Sequence, residues 1–335
     1  METIYYLGVD IAKKTFQAAL TVDGVNFFDQ EVVNSPRTIR VYFQQLSGKF
    51  NFPFSRLTVC LEHTGIYSYH LLDFLIKHDV KVSMEPGLQI KQSQGMARGK
   101  SDQVDARRIA QYAFKNRQEL KLWKAQRPVL QKLKALLCAR ERLIKVRVQI
   151  EVPINESGEF IDEQIQKTLV KTCQSTLKAL KKDILRIEGE INCLVKEDPS
   201  LSHQTKLATS VPGVGKITAL NVILTTGEFE RITDVKQFAC YAGVAPFEHS
   251  SGSSVRGKTR VSKMANMTLK KLLHMAAMSA IQCNEELKIY YERKVSTGKN
   301  KMSVLNAVRN KLISRVFACV KNQRLYEKNF RHALA

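Results

Sequence analysis

Two short apolar runs, each ending on a carboxylate, set the first limit on how this chain folds. Ile4-Tyr5-Tyr6-Leu7-Gly8-Val9 runs into Asp10, and Leu57-Thr58-Val59-Cys60-Leu61 runs into Glu62. Runs this short, rich in β-branched and aromatic residues, read as buried strands rather than helices. Between them, Thr15–Val22 and Val25–Val33 read as two more strands, joined at Asp23-Gly24, a strong hairpin signal. Ser35 is placed to cap a helix that begins at Pro36. Tyr67–His78 reads as a helix, Val80–Met84 as a fifth strand stopped by Pro86-Gly87, and Ser101–Lys115 as a helix capped by Ser101. Three meandering strands, then helix, strand, helix, strand, helix, predict an α/β layer on a mixed sheet over residues 1–127.

From Pro128 the texture changes to helical periodicity. Leu130, Leu133, Leu137, Ile144 and Val148 fall on one stripe, with a break expected near Pro153 and Ser157-Gly158. Leu177, Leu180, Ile184, Ile187, Ile191 and Leu194 then alternate spacings of three and four, a coiled-coil seam. Residues 128–200 are therefore expected to be a helical coiled-coil segment, an antiparallel hairpin or dimerisation arm, ended by Asp198-Pro199-Ser200. Residues 201–335 read as a third, mainly helical domain. The fold class expected is α/β plus all-α.

The charge says what such a chain meets. Lys and Arg number 53 against 31 Asp and Glu, a formal net charge of +22. From Arg256 to Lys328 alone there are 17 Lys or Arg, four Glu and no Asp. Cationic side chains gain affinity for nucleic acid by displacing phosphate counterions, so DNA or RNA is the expected partner. A membrane role lacks support, because no apolar run approaches 18 residues and neither end carries a lipidation signal. The seven cysteines are scattered, with no CxxC, and the seven histidines form no HxxxH, which argues against zinc and against a disulfide framework. With no signal peptide at the start, a reducing cytoplasmic location is expected.

Against that basic background the acids stand out. Asp10 and Glu62 would project from the ends of neighbouring strands, and Asp102 and Asp105, at i and i+3, share one helix face. Singly, an acid at a strand end is an ordinary turn or cap residue, and Asp102 an ordinary first-turn acid. Together they make an all-oxygen donor set suited to Mg²⁺, with Mn²⁺ as a substitute. Such ions bind carboxylates and substrate phosphate and support phosphodiester chemistry. Gly8 and Gly65 are read as permitting close backbone approach.

Two further stretches carry chemistry. Val211-Pro212-Gly213-Val214-Gly215-Lys216 reads as a helix-hairpin-helix turn, in which Gly213 and Gly215 expose backbone N–H groups and Lys216 adds a cation for DNA phosphates. The plain alternative is a turn between packed helices. A nucleotide P-loop is excluded by spacing. His249-Ser250-Ser251-Gly252-Ser253-Ser254-Val255-Arg256-Gly257 is the most polar stretch of the C-terminal third, followed by Lys258, Arg260 and Lys263. It reads as a loop in which a serine can attack phosphorus if activated and flanked by cations. Taken alone, a Ser/Gly run is a flexible loop.

Three N-terminal stretches and three C-terminal ones carry a family resemblance. Leu7-Gly8-Val9-Asp10-Ile11-Ala12-Lys13, Glu62-His63-Thr64-Gly65-Ile66-Tyr67 and Lys100-Ser101-Asp102-Gln103-Val104-Asp105-Ala106 resemble the catalytic motifs of the insertion-sequence-110, or DEDD, transposases, to which pilin-gene invertases are related. Tyr241-Ala242-Gly243-Val244-Ala245-Pro246, the Ser/Gly run, and Arg260-Val261-Ser262-Lys263 resemble that family's C-terminal domain. The resemblance spans about residues 5–325, in which the 152–170 connection looks less family-like. It implies that residues 1–127 form a ribonuclease H-like, RuvC-like catalytic domain, with Asp10, Glu62, Asp102 and Asp105 as the catalytic carboxylates. It also implies a nucleophilic serine, best matched by Ser251, with Ser250 its neighbour and competitor and Ser253 and Ser254 lesser ones. The activity implied is excision and insertion of a mobile element's DNA, guided by a structured RNA from the element. Two or more active sites are then needed, hence a homo-dimer or tetramer. Lys13 and Arg256 are candidate phosphate-neutralising groups. Site-specific inversion, hydrolysis of branched DNA by a metal-dependent junction resolvase or nuclease, and non-catalytic RNA or DNA binding with the acids structural are the alternatives.

Overall fold

A computed structural model describes residues 3–62, 65–95, 101–251, 255–262 and 264–328, with the backbone alone at 249–251, 255, 256 and 258. The chain divides into two compact units, Met1–Ala125 and Gln126–Ala335.

The first unit is built on a five-stranded mixed sheet. Its strands are β1 (Tyr5–Ile11), β2 (Thr15–Thr21), β3 (Phe28–Val33), β4 (Leu57–Glu62) and β5 (Lys81–Glu85), in the spatial order β3-β2-β1-β4-β5. The first three form an antiparallel meander, and β4 and β5 add in parallel beside β1. A parallel neighbour needs a crossover, which α1 (Pro36–Phe50) and α2 (Tyr69–Lys77) supply. Ser35 caps α1 by accepting from the Thr38 N–H, with Pro36 in the first turn. Odd-numbered residues of β1 and β4 (Leu7, Val9, Leu57, Val59, Leu61) pack with Ile39, Phe43, Leu46, Leu71 and Leu75 of these helices. Each fully buried aliphatic contributes about 1.5–3 kcal/mol, so this face fixes the register of the sheet.

The even-numbered face carries the polar ends. There α4 (Asp102–Lys115) packs on β1 and β4 through Tyr6, Cys60, Ile109, Tyr112 and Ala113. Gly8 allows this approach: a Cβ there would stand 2.2 Å from the Ala110 nitrogen and 2.3 Å from the Ala106 oxygen. Ala106 and Ala110 are small for the same reason. A short helix, α3 (Gly87–Gln92), follows β5 and was not expected. Nor does Asp23-Gly24 close a two-residue turn. The Asp23 carboxylate accepts the Val25 and Asn26 N–H groups at 2.9 and 2.8 Å, and Thr21 Oγ1 accepts the Gly24 N–H, so the loop widens to residues 22–27. Gly65 has φ +79 and no described atom within 4 Å of its absent Cβ. It serves backbone conformation there, not close approach.

The second unit is mainly helical. Its helices are α5 (Pro128–Ser157), α6 (Glu163–Glu197), α7 (Pro199–Thr209), α8 (Lys216–Thr226), α9 (Val235–Tyr241), α10 (Met267–Cys283), α11 (Glu285–Ser296) and α12 (Lys301–Lys321). Helices α5 and α6 run antiparallel, as the ion pairs Arg140–Glu188 and Lys181–Glu151 show. Leu130, Leu133 and Leu137 pack with Ile191, Leu194 and Val195, but Val148 is exposed, so the expected stripe is buried only near the base of the hairpin. Of the break expected near Pro153 and Ser157-Gly158, only the second part occurs: α5 runs through the proline to Ser157, with Gly158 as its C-cap. Beyond the proline, Gln166 Nε2 donates to the Ile154 carbonyl at 2.6 Å and helps hold that end of the helix against α6. Asp198 ends α6 and caps α7 by accepting the Leu201 N–H. Arg127 joins these pieces with paired hydrogen bonds to Asp198 (2.9 and 3.0 Å) and to Glu228 (2.7 and 2.6 Å).

The polar stretch near 250 is also not a plain loop. It forms an antiparallel ribbon of β6 (Pro246–Ser251) and β7 (Val255–Val261), in which Ser251 pairs Val255 and Ser250 pairs Arg256. Val255, Thr259 and Val261 are β-branched and favour the extended backbone despite the serines around them. Among the described residues, no helix is long and apolar enough to cross a membrane.

Candidate active site

Parallel strands aim their carboxyl ends one way, and ligands of α/β sheets gather there. Asp10 stands near that end of β1, and Glu62 is the last residue of β4. The β1–β4 register pairs Val9 with Leu61, so one further step brings Asp10 level with Glu62 on the even-numbered face. Asp102 and Asp105 open α4, where Ser101 Oγ accepts the Val104 N–H at 3.2 Å. Two features hold that helix over the strands. One is the Gly8 gap; the other is Asp29 of β3, which accepts from Arg107 Nε at 2.8 Å and again from Nη2, and from Gln103 Nε2 at 3.1 Å.

The result is a cavity of about 390 Å³ lined by all four expected carboxylates, together with Gln17, Gly87, Lys91, Gln94 and Arg108. The Asp10 carboxyl is pushed up to about 6, first by burial and then by the negative charges of Asp102, Asp105 and Glu62. Like charges facing one half-buried acid are the electrostatic demand that a cation meets. Among the described residues, no three His, Cys, Asp or Glu side chains stand close enough together to ligate one ion as placed. The donor set fits a hard divalent cation in chemistry, being all oxygen, and in charge.

Sequence reasoning missed several neighbours. Gly87 gives the Glu62 carboxylate its space: a Cβ there would lie 2.0 Å from Glu62 Oε1. Only Pro86-Gly87 as a strand stop marked that position. Glu85 pairs Glu62 in the β4–β5 register, is buried, and accepts from Ser83 Oγ at 2.7 Å. Burial, with Glu85 adding to it, pushes the Cys60 thiol up. Lys91, Gln94 and Arg108 had no signal of their own, since only the tertiary fold brings them to the acids. Lys13 lies exposed in the turn after β1.

The second unit holds the other expected residues. Gly213, at φ +87, lies in the turn between α7 and α8, and a Cβ there would meet the Ala276 carbonyl oxygen at 2.6 Å. Gly215 precedes α8, with no described atom within 4 Å of its missing Cβ, so its backbone is open. Lys216 begins α8 and donates to Asn192 Oδ1 of α6; burial, then Lys196, lowers its pKa. Ser251 ends β6, and the side chains of Ser250, Ser251, Arg256 and Lys258 lie outside the described residues, as do Ser253, Ser254 and Lys263 entirely. Arg260 is exposed on β7, opposite Phe247.

Comparison with known proteins adds the context. A family model described as a transposase, of the DEDD type of IS110, matches residues 7–156, and one described as "Transposase IS116/IS110/IS902 family" matches residues 205–292. The pilin gene-inverting protein of Moraxella bovis is 27% identical over 335 residues, covering 96% of this chain and 98% of that protein. The 43.6 kDa protein of insertion element IS110 from Streptomyces coelicolor is 29% identical over 159 residues, 48% of this chain and 38% of that protein. Among solved structures, Thermus thermophilus RuvC aligns with 36% of this chain and 100% of its own, at 16% identity and a TM-score of 0.28.

Proposed function

The chain belongs to the IS116/IS110/IS902 family of transposases, enzymes that cut and transfer DNA, and from that premise we propose that it is the site-specific recombinase of a mobile element. The observation that carries the proposal is the single cavity lined by Asp10, Glu62, Asp102 and Asp105 at the carboxyl ends of two parallel strands. In this reading residues 1–127 are a RuvC-like catalytic domain, and those four residues hold Mg²⁺ or Mn²⁺. Bound there, a divalent cation supplies positive charge to the scissile phosphate and to the oxygens that enter and leave it.

The covalent step is assigned to Ser251. Its Oγ attacks phosphorus, the P–O bond to one DNA strand breaks, and the serine's proton ends on the departing DNA oxygen. A phosphoserine–DNA ester conserves the bond energy. A free DNA hydroxyl then attacks that ester, gives up its proton, and regenerates the serine. Gly213, Gly215 and Lys216 bind the DNA backbone through the helix-hairpin-helix turn, and Arg256, Lys258, Arg260 and Lys263 neutralise phosphates beside the serine. The basic excess suits a structured guide RNA as a second polyanion. The hairpin of residues 128–200 joins protomers into a dimer or tetramer, and the exposed Val146, Val148, Phe160, Ile165 and Leu169 favour that role.

The test is to trap a protein–DNA adduct on the element's own ends and map it by mass spectrometry. An adduct on Ser251 that disappears in Ser251→Ala is expected. An adduct that survives the substitution removes Ser251 from the role. Cleaved ends with no adduct favour a hydrolytic nuclease or resolvase. Inversion of a DNA segment is the second reading, favoured by the 96% coverage of this chain by the pilin gene-inverting relative. Sequencing the DNA that flanks the gene separates it from transposition.

A further inference from the structure

Most of the acidic cavity's wall is not acidic. Lys91, Gln94 and Arg108 line it beside Asp10, Glu62, Asp102 and Asp105. Gln94 Nε2 is buried and has no hydrogen-bond partner among the described residues. A buried donor is kept unsatisfied at a cost in stability, and a ligand's acceptor oxygen is one reason to keep it. Arg108 is paired instead: its Nη1 donates to Asp105 Oδ1 at 3.0 Å. Pairs at i and i+3 on an open helix surface carry little energy. This one lies in the concave wall, and its acceptor belongs to the carboxylate set.

We propose that Gln94 and Arg108 are the phosphate-holding wall of this cavity, and that Arg108 rests on Asp105 until a divalent cation takes that carboxylate. The inference rests on the reading of the four acids as metal ligands. Without the ion, the guanidinium lies against the Asp105 carboxylate. When a doubly charged ion arrives, the same guanidinium becomes a like-charged neighbour. The cheapest relief is to turn toward the nearest anion, which in the working complex is a nonbridging phosphate oxygen of DNA. A guanidinium suits that task because its fork matches phosphate and stays protonated. Gln94 adds a neutral donor to the same cavity. Carboxylates and phosphate donors thus line one space of about 390 Å³. The arrangement orders events: ion first, DNA phosphate second.

The experiment uses the full chain as wild type, Arg108→Gln, Arg108→Lys and Gln94→Ala. Mn²⁺ affinity is read by electron paramagnetic resonance. Binding of a synthetic four-way DNA junction is read against salt, once with Ca²⁺ and once with EDTA. Arg108→Gln should bind Mn²⁺ about tenfold more tightly, because a competing unit charge is gone. Arg108→Lys and Gln94→Ala should match wild type. With Ca²⁺, Gln94→Ala and Arg108→Gln should both weaken junction binding, and Arg108→Gln should lower the log–log salt slope by about one. With EDTA, Arg108→Gln should leave that slope unchanged. Equal or weaker Mn²⁺ binding by a folded Arg108→Gln overturns the competition. A slope change that ignores the ion, or no change in either condition, overturns the transfer to phosphate. Wild type that binds no Mn²⁺ defeats the metal reading itself, and does so before any variant is compared.

Discussion

Gly87→Ala is the sharpest perturbation the fold offers, because it moves one catalytic candidate without replacing that residue. Gly87 opens α3 with φ outside the positive range, so alanine fits the backbone. Alanine also favours helix over glycine, by up to about 1 kcal/mol. The added Cβ would lie 2.0 Å from Glu62 Oε1, 2.4 Å from Cδ and 2.8 Å from Oε2. Ordinary contact begins at 3.4 Å, so the carboxylate must retreat by about 1.4 Å. A side-chain end can do so cheaply, which predicts unchanged or slightly raised thermal stability. Function is less tolerant. Misplacing a reacting or ligating group by about 1 Å costs on the order of 10²-fold in rate, and disturbing a ligand's support costs about 10–100-fold in metal affinity. The assay is Mn²⁺ titration and DNA strand cleavage beside thermal melting, with Gly48→Ala in α1 as control, since no described atom lies within 4 Å of that position. Ion affinity and cleavage within about threefold of wild type would refute the placement of Glu62 in the site. So would a melting temperature that falls sharply, because the clash would then be structural.

Three more outcomes follow from the geometry. Gly8→Ala drives a Cβ into the backbone of α4 and should cost about 3 kcal/mol in chemical denaturation, with cleavage lost in step. Asp10 titrates near 6 in the ion-free protein against an ordinary 3.8, so its protonated form favours folding; that benefit is complete below pH about 4 and lost as pH rises through about 6. Asp10→Asn should therefore stabilise ion-free protein by about 1–2 kcal/mol at pH about 8 and by nearly nothing at pH about 4, an advantage that saturating Mn²⁺ should erase in melting curves. Arg127→Ala removes the guanidinium shared by Asp198 and Glu228 and should lower stability by about 1–2 kcal/mol, discounted because that side chain is 44% exposed; wild-type melting would show that the network is ornamental to the fold.

Much of the first unit was legible because β1 and β4 are short apolar runs, each carrying an acid at or near its end. Leu7, Val9, Leu57, Val59 and Leu61 alternate with residues of the other face, so Asp10 and Glu62 had to emerge on one side. Ser35 and Ser101 announced their helices through capping chemistry that is local in sequence. Positions that depend on long-range approach left no such trace. Nothing near Gln94 or Arg108 says that they share a cavity with Asp10, and Gly87 reads as a turn signal until Glu62 is seen against it. The hairpin loop at 22–27 misled because Asp23 satisfies four donors by itself, and Pro153 misled because a second long helix supports the first. The ribbon at Pro246–Val261 was hidden by its serines, whose weak preference yielded to cross-strand pairing.

Gly8 and Gly87 are empty volumes beside the proposed site. Here a single methyl group added at Gly8 or Gly87 would disturb the proposed site while every acid remained intact. A census of acids alone would therefore overcount the working copies in a genome. The living ones should be recognised as much by what has stayed small as by what has stayed charged.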